Sequence, residues 1–173
     1  MIDVVPASPA HVGTLAARMR EIDRRECAAM GHSPKQALRL CLQFSTFVWT
    51  ARLDGRPEAM FGADTVSVLD GIGSPWLLMT DTAAQQKKAL VRMGRSVTAL
   101  LQAEFAVLRN NVHADNTLAI EWLRRLGYEI GPSFDMGGQE MRPFSRERSE
   151  CANQELSPWL QRRCKLPERS SAA

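Results

Sequence analysis

The sequence predicts an α/β protein: one mixed sheet of about seven strands flanked by about four helices, followed by a charged C-terminal tail. Three observations carry this. The chain has 173 residues, 45% apolar and 24% charged, which fits one domain with a short appendage. Apolar residues recur at helical spacing in four segments, and the stretches between them have the β-branched and aromatic content of strands. Between Pro75 and Leu108, a short apolar run, a long amphipathic helix and a second strand follow one another. Such a crossover is right-handed and makes its two strands parallel.

Ile2, Val4 and Val5 form a short opening strand. Ser8-Pro9 starts a helix, with Ser8 as cap and Pro9 in the first turn, where a missing N–H costs nothing. Val12, Leu15, Ala16, Met19 and Ile22 form its core stripe. Ser33-Pro34 repeats the signal for a second helix with Ala37, Leu38, Cys41 and Leu42 inside. The period then changes: Phe47 to Leu53 is a strand ending at the hairpin pair Asp54-Gly55. Its partner runs from Glu58 to about Leu69, with Gly62 expected at a bulge. After the loop Asp70 to Ser74, Pro75 to Thr80 is a continuous apolar run, as in a strand covered on both faces.

A long helix is expected from about Gln85 to Phe105, with Leu90, Met93, Val97, Leu101 and Phe105 on one side. Ala106 to Leu108 begins a strand that breaks up at Arg109-Asn110-Asn111. Asn116 caps the last helix, Ala119, Trp122, Leu123 and Leu126 are its buried stripe, and Gly127 is its left-handed stop. Tyr128 to Ile130 and Gln139 to Phe144 close the sheet. The domain is therefore read as residues 1–144. Residues 145–173 form a charged tail, with a short helix around Leu156, Trp159 and Leu160.

Several function classes are excluded. No stretch approaches the ~18–20 apolar residues of a membrane span. The N-terminus lacks the basic and apolar regions of a secretory signal. Cys27, Cys41, Cys151 and Cys164 form no Cys-x-x-Cys pair and have no histidine at ligand spacing, so no metal is expected and the thiols stay reduced in a cytosol. A net charge of +3, spread over scattered basic pairs, argues against a nucleic-acid surface. Three His and one Tyr leave few groups for proton transfer.

The run Asn116-Thr117-Leu118-Ala119-Ile120-Glu121-Trp122-Leu123-Arg124-Arg125-Leu126-Gly127-Tyr128 resembles the late motif of the GNAT acetyltransferases, and the order of elements is theirs. Asp23, Glu26, Gly31, Pro34, Trp49-Thr50-Ala51, Asp54-Gly55, Phe61-Gly62, Pro75-Trp76-Leu77-Leu78 and Leu108-x-Asn110 resemble one group within it, over about residues 10 to 144. That group is the GNAT-like proteins of tailed bacteriophages, of the internal virion protein A type. The resemblance implies a virion-associated structural or interaction protein, found in the virion or host cytoplasm, with other virion proteins as partners. The alternative it implies is an acetyl-CoA-dependent N-acetyltransferase acting on a protein or small-molecule amine.

Two departures from the family bear on this choice. The family's Gln/Arg-x-x-Gly-x-Gly/Ala loop, whose glycines let backbone N–H groups reach the cofactor pyrophosphate, is replaced by the glycine-free Thr82 to Leu90. The tyrosine that many members use as acid is replaced by Leu123, and Tyr128 sits at a packing position. If acetyl-CoA binds, the resemblance implies contacts from Leu78, Met79, Thr80, Lys87, Lys88 and Asn116. Lys87 and Lys88 also read as a solvated first turn. Asp81, at the end of the central strand, and Glu26, on the acceptor wall with Asp23, are the candidate general bases. His113 and Asp115 follow the next strand. Each of these also reads as a cap, a solvated charge or a surface imidazole.

Overall fold

The computed structural model describes residues 1–148. Its elements are β1 (Ile2–Pro6), α1 (Pro9–Ala17), α2 (Glu21–Ala29), α3 (Pro34–Phe44), β2 (Phe47–Leu53), β3 (Arg56–Ser67) and β4 (Ile72–Met79). There follow α4 (Asp81–Ala84), α5 (Lys87–Glu104), β5 (Val107–His113), α6 (Thr117–Arg125), β6 (Glu129–Ile130), β7 (Phe134–Met136) and β8 (Gln139–Glu147). The sheet order is β1-β2-β3-β4-β5-β8-β6, with β7 also paired to β8. Among the described strands only β4 and β5 run parallel, as the crossover through α5 requires.

The expected order of elements holds, and the differences trace to identifiable contacts. The first helix is two helices, because the chain between them reaches the end of β4. There Met19 bridges Thr80 and the Arg20 N–H bonds the Met79 carbonyl at 3.0 Å. Arg24 stabilises the break by donating to the carbonyls of Ala16, Ala17 and Met19. The long helix stands close to its expected span, and ahead of it lies a further short helix, α4, begun where the Thr80 hydroxyl caps it by accepting the Ala83 N–H.

β5 does not break up at Arg109; it runs to His113 because β8 pairs along its whole length. β8 itself extends to Glu147. β7 was not foreseen, although Gly137-Gly138, both at positive φ, is the hairpin turn that makes it. Gly62 is not a bulge. The register slips instead at Ala51/Arg52 and between Thr65 and Ser67. A Cβ on Gly62 would lie 1.9 Å from the Phe47 carbonyl oxygen and 3.0 Å from the Trp76 ring, so glycine is required by close approach. Asp54-Gly55 is the expected turn, with both residues at positive φ.

Two layers of helix cover the sheet. α1–α3 pack on one face around Val12, Leu15, Leu38, Met60 and Leu78. α4–α6 pack on the other, over Phe61, Met79, Leu90 and Leu100 and over Leu101, Leu108, Val112, Leu123 and Phe144. Burying each such side chain is worth about 1.5–3 kcal/mol. Among the described residues no helix is long and apolar enough to cross a membrane. The segment expected to be helical around Trp159 lies outside them.

Candidate functional site: a fork in the sheet

β4 and β5 pair only at Ile72–Val107 and Gly73–Leu108, then diverge. Pro75 is one cause. It lies on the edge of β4 that faces β5, and it has no N–H to continue the ladder. Asn110 fills the crotch instead: its amide donates to the Pro75 carbonyl at 3.0 Å, and its Oδ1 accepts the Asn111 N–H at 2.8 Å.

At the open end, α2 lies across both strand termini. The Asp23 Oδ2 accepts the Met79 N–H at 2.9 Å, closing β4, and Arg20 clamps that carboxylate through Nε and Nη2 at 3.1 and 2.5 Å. One turn on, the Glu26 Oε1 accepts the His113 N–H at 3.0 Å, closing β5, and the Asn116 amide at 2.9 Å. Between crotch and mouth stands Leu77. The Thr80 N–H goes to the Glu58 carbonyl on the β3 side, so alternation turns the main-chain groups of Leu77 and Met79 toward β5. Those of Met79 are taken by Asp23 and Arg20. Those of Leu77 face the gap, where no strand among the described residues pairs with them.

A cavity of about 490 Å³ passes through the sheet at this fork. On the α5–α6 side it is lined by Leu77, Met93, Gly94, Val97, Trp122 and Leu123. Trp122 lies on Gly94, where a Cβ would be 2.6 Å from the indole, and its Nε1 donates to the Leu90 carbonyl at 3.1 Å. On the α2–α3 side the lining is Cys27, Met30, Leu40, Cys41, Phe44 and Trp76. Burial pushes both thiols up to about 12, so they stay neutral.

The two α2 carboxylates differ in what they leave free. Asp23 is fully buried with both oxygens engaged. Glu26 lines the cavity, both its hydrogen bonds fall on Oε1, and Oε2 has no partner among the described residues. Burial raises the Glu26 pKa above the usual carboxylate range, with the Asn116 amide opposing and the Asp23 charge adding to the rise. Burial also raises that of Asp23, against the Arg20 guanidinium.

The other expected residues separate. Leu78 points into the α1–α3 core and Met79 into the α5 core. Thr80 is buried, donates its hydroxyl to Glu58 and caps α4. Asn116 lines the cavity, but its Oδ1 caps α6 through the Ala119 N–H at 3.3 Å and its amide is on Glu26. Lys87 and Lys88 are exposed in the first turn of α5, where the first backbone N–H with an acceptor is that of Leu90, on Gln86. Asp81 is exposed in the first turn of α4 and does not line the cavity. His113 is buried, accepting the Asp115 N–H at Nδ1 and facing Gln139 at Nε2. Leu123 and Tyr128 are core residues, the tyrosine edge-on to Phe144. Sequence reasoning missed Arg20 and Asn110. Pro75 inside an apolar run was the one signal of a strand losing its neighbour.

No protein-family model and no curated protein matches the chain in sequence. Solved structures match its fold. A putative phosphinothricin N-acetyltransferase superposes with a TM-score of 0.66 at 13% identity, covering 87% of this chain and 100% of that one. Ard1 from Thermoplasma volcanium gives 0.64 at 12% identity, over 86% and 99%. The aminoglycoside acetyltransferase AAC(6')-Ib in complex with ribostamycin and coenzyme A gives 0.63 at 14%, over 85% and 93%. The fold of this chain is thus the GNAT fold.

Proposed function

We propose that this protein is an acyl-CoA-dependent N-acyltransferase that uses the fork between β4 and β5 as its reaction centre. The observation that carries this is the cavity running through the sheet, with the Leu77 main chain on one side of it and the Glu26 Oε2 at its mouth both without a partner among the described residues. Solved neighbours of the same fold contain coenzyme A.

The residues present fit that cofactor. The Leu77 N–H and carbonyl offer a strand edge to an extended, amide-bearing chain. The N–H groups of Lys87, Lys88 and Ala89 have no backbone acceptor among the described residues, and with the two lysine charges they suit a diphosphate. The bound cofactor would supply an acyl group activated as a thioester. Glu26 takes the proton that an ammonium must lose before its nitrogen can attack, and its raised pKa suits it to that task. The Leu77 N–H is the strand donor left to polarise an acyl carbonyl, since that of Met79 is held by Asp23. Calorimetry with acetyl-CoA tests this: micromolar-range binding is expected, and no binding at millimolar ligand would end the reading.

A second reading, a virion-associated interaction protein of the phage GNAT-like type, draws on Leu123 in place of the acid and on the occupied Met79 main chain. Under it acetyl-CoA does not bind, and the protein is found in purified particles.

A further inference from the structure

We infer that the acceptor is a small primary amine on an apolar body, aromatic or branched-alkyl, seated in the α2–α3 side of the cavity; this rests on the acyltransfer reading above. The wall there is built from Met30, Leu40, Phe44 and Trp76, with two thiols that stay neutral. Three of these side chains are exposed at the rim: Phe44 at 69%, Met30 at 65% and Leu40 at 36%. Exposed apolar side chains grouped around a cavity mouth mark a site for an apolar ligand.

The polar groups on this side are few, chiefly Asp64, His32, Arg20 and Glu26. Asp64 holds the Ser45 hydroxyl, which in turn accepts the Trp76 indole N–H at 3.0 Å. Arg20 is spent on Asp23. The Glu26 Oε2 is left to meet an ammonium group at the fork. At the fork end of this apolar channel one carboxylate oxygen meets one amine; the wall's other carboxylate, Asp64, lies on β3 opposite Ser74, with its Oδ1 on Ser45. A polycation would bring several charges to a wall whose acidic groups, among the described residues, are Glu26 and Asp64 alone, and burying unpaired charge is costly. The cavity of about 490 Å³ also serves the cofactor side, which limits the acceptor to a small molecule.

The test is calorimetry on the full chain with 2-phenylethylamine, isoamylamine, ethanolamine and kanamycin, each with and without acetyl-CoA. The two apolar amines are expected to bind about tenfold or more tightly than ethanolamine. Phe44→Asp, or Met30→Asp as a second exposed variant, is expected to remove that preference while leaving acetyl-CoA affinity unchanged. Equal or better binding of ethanolamine or kanamycin overturns the inference, as does a preference that survives both variants. Binding of acetyl-CoA is read separately, so its absence ends the acyltransfer reading while the amine titrations still decide the ligand class.

Discussion

Two corners of α2, one helical turn apart, use the same chemistry for different ends. At the first, Asp23 closes β4 through the Met79 N–H and is neutralised by Arg20, with every oxygen engaged and no exposure. At the second, Glu26 closes β5 through the His113 N–H, but its other partner is a neutral amide and one oxygen stays open to the cavity. Both carboxyls are raised in pKa by burial. What separates a structural carboxylate from an available one is therefore the partner. A guanidinium consumes both oxygens, whereas a strand N–H and an asparagine on the same oxygen leave the other to a ligand.

The largest effect should come from breaking the first corner. Arg20→Ala leaves Asp23 buried without its counter-charge, and urea denaturation should show a loss of about 3–5 kcal/mol. The double variant Arg20→Met, Asp23→Leu should recover much of it, because the desolvation cost leaves with the charges. Failure of the double variant to recover stability would mean that the Met79 N–H bond, not the ion pair, is what matters there.

The second corner should respond in the opposite sense. Glu26→Gln keeps an oxygen to accept the His113 N–H, so the protein should fold with little loss of stability. Acyl transfer to an amine should nevertheless fall by about 10²–10⁴. A rate within a factor of two of wild type would remove Glu26 from the reaction.

The pH dependence sharpens the contrast further. In the wild type, transfer should rise with pH through a pKa above the ordinary glutamate range, and this limb should vanish in Glu26→Gln. The stability effect has a definite sign. A carboxyl whose folded pKa lies above its unfolded one binds its proton more tightly when folded. The wild type should therefore lose stability relative to Glu26→Gln as pH rises from the ordinary glutamate pKa through the raised one, and the difference should be constant above it. Thermal melts of both proteins between pH 4 and about pH 8 measure this. The smallest effect lies outside both corners. Lys87→Ala and Lys88→Ala should each weaken acetyl-CoA by about two- to fivefold at low salt, with no change in stability.

Much of the scaffold was legible in the chain. The Ser33-Pro34 start, the Asp54-Gly55 turn and the Asn116 cap with its Gly127 stop depend on neighbours within a few residues, and all stand where local chemistry puts them. The α5 crossover followed from order alone. The misreadings share one cause: contacts between distant segments overrode local pattern. The stripe from Val12 to Ile22 is continuous, yet Arg20 and Met19 bond β4 and split the helix. The asparagines after Leu108 read as a break, yet β8 pairs through them. Gly62 read as a bulge, when the Phe47 backbone requires it to be bare.

The candidate site divides the same way. By itself the sequence determined a sheet with one parallel crossover, a glycine-free helix start, and carboxylates at Asp23 and Glu26 on an early helix, because each is a matter of residue type and spacing. It could not determine which of those carboxylates keeps an oxygen free, that Asp81 stands away from the cavity, or that Leu77 holds the unpaired edge. Those depend on α2 being laid across the ends of β4 and β5, through contacts to residues 56 to 90 positions further along the chain. Only the packed structure brings those groups within hydrogen-bonding distance.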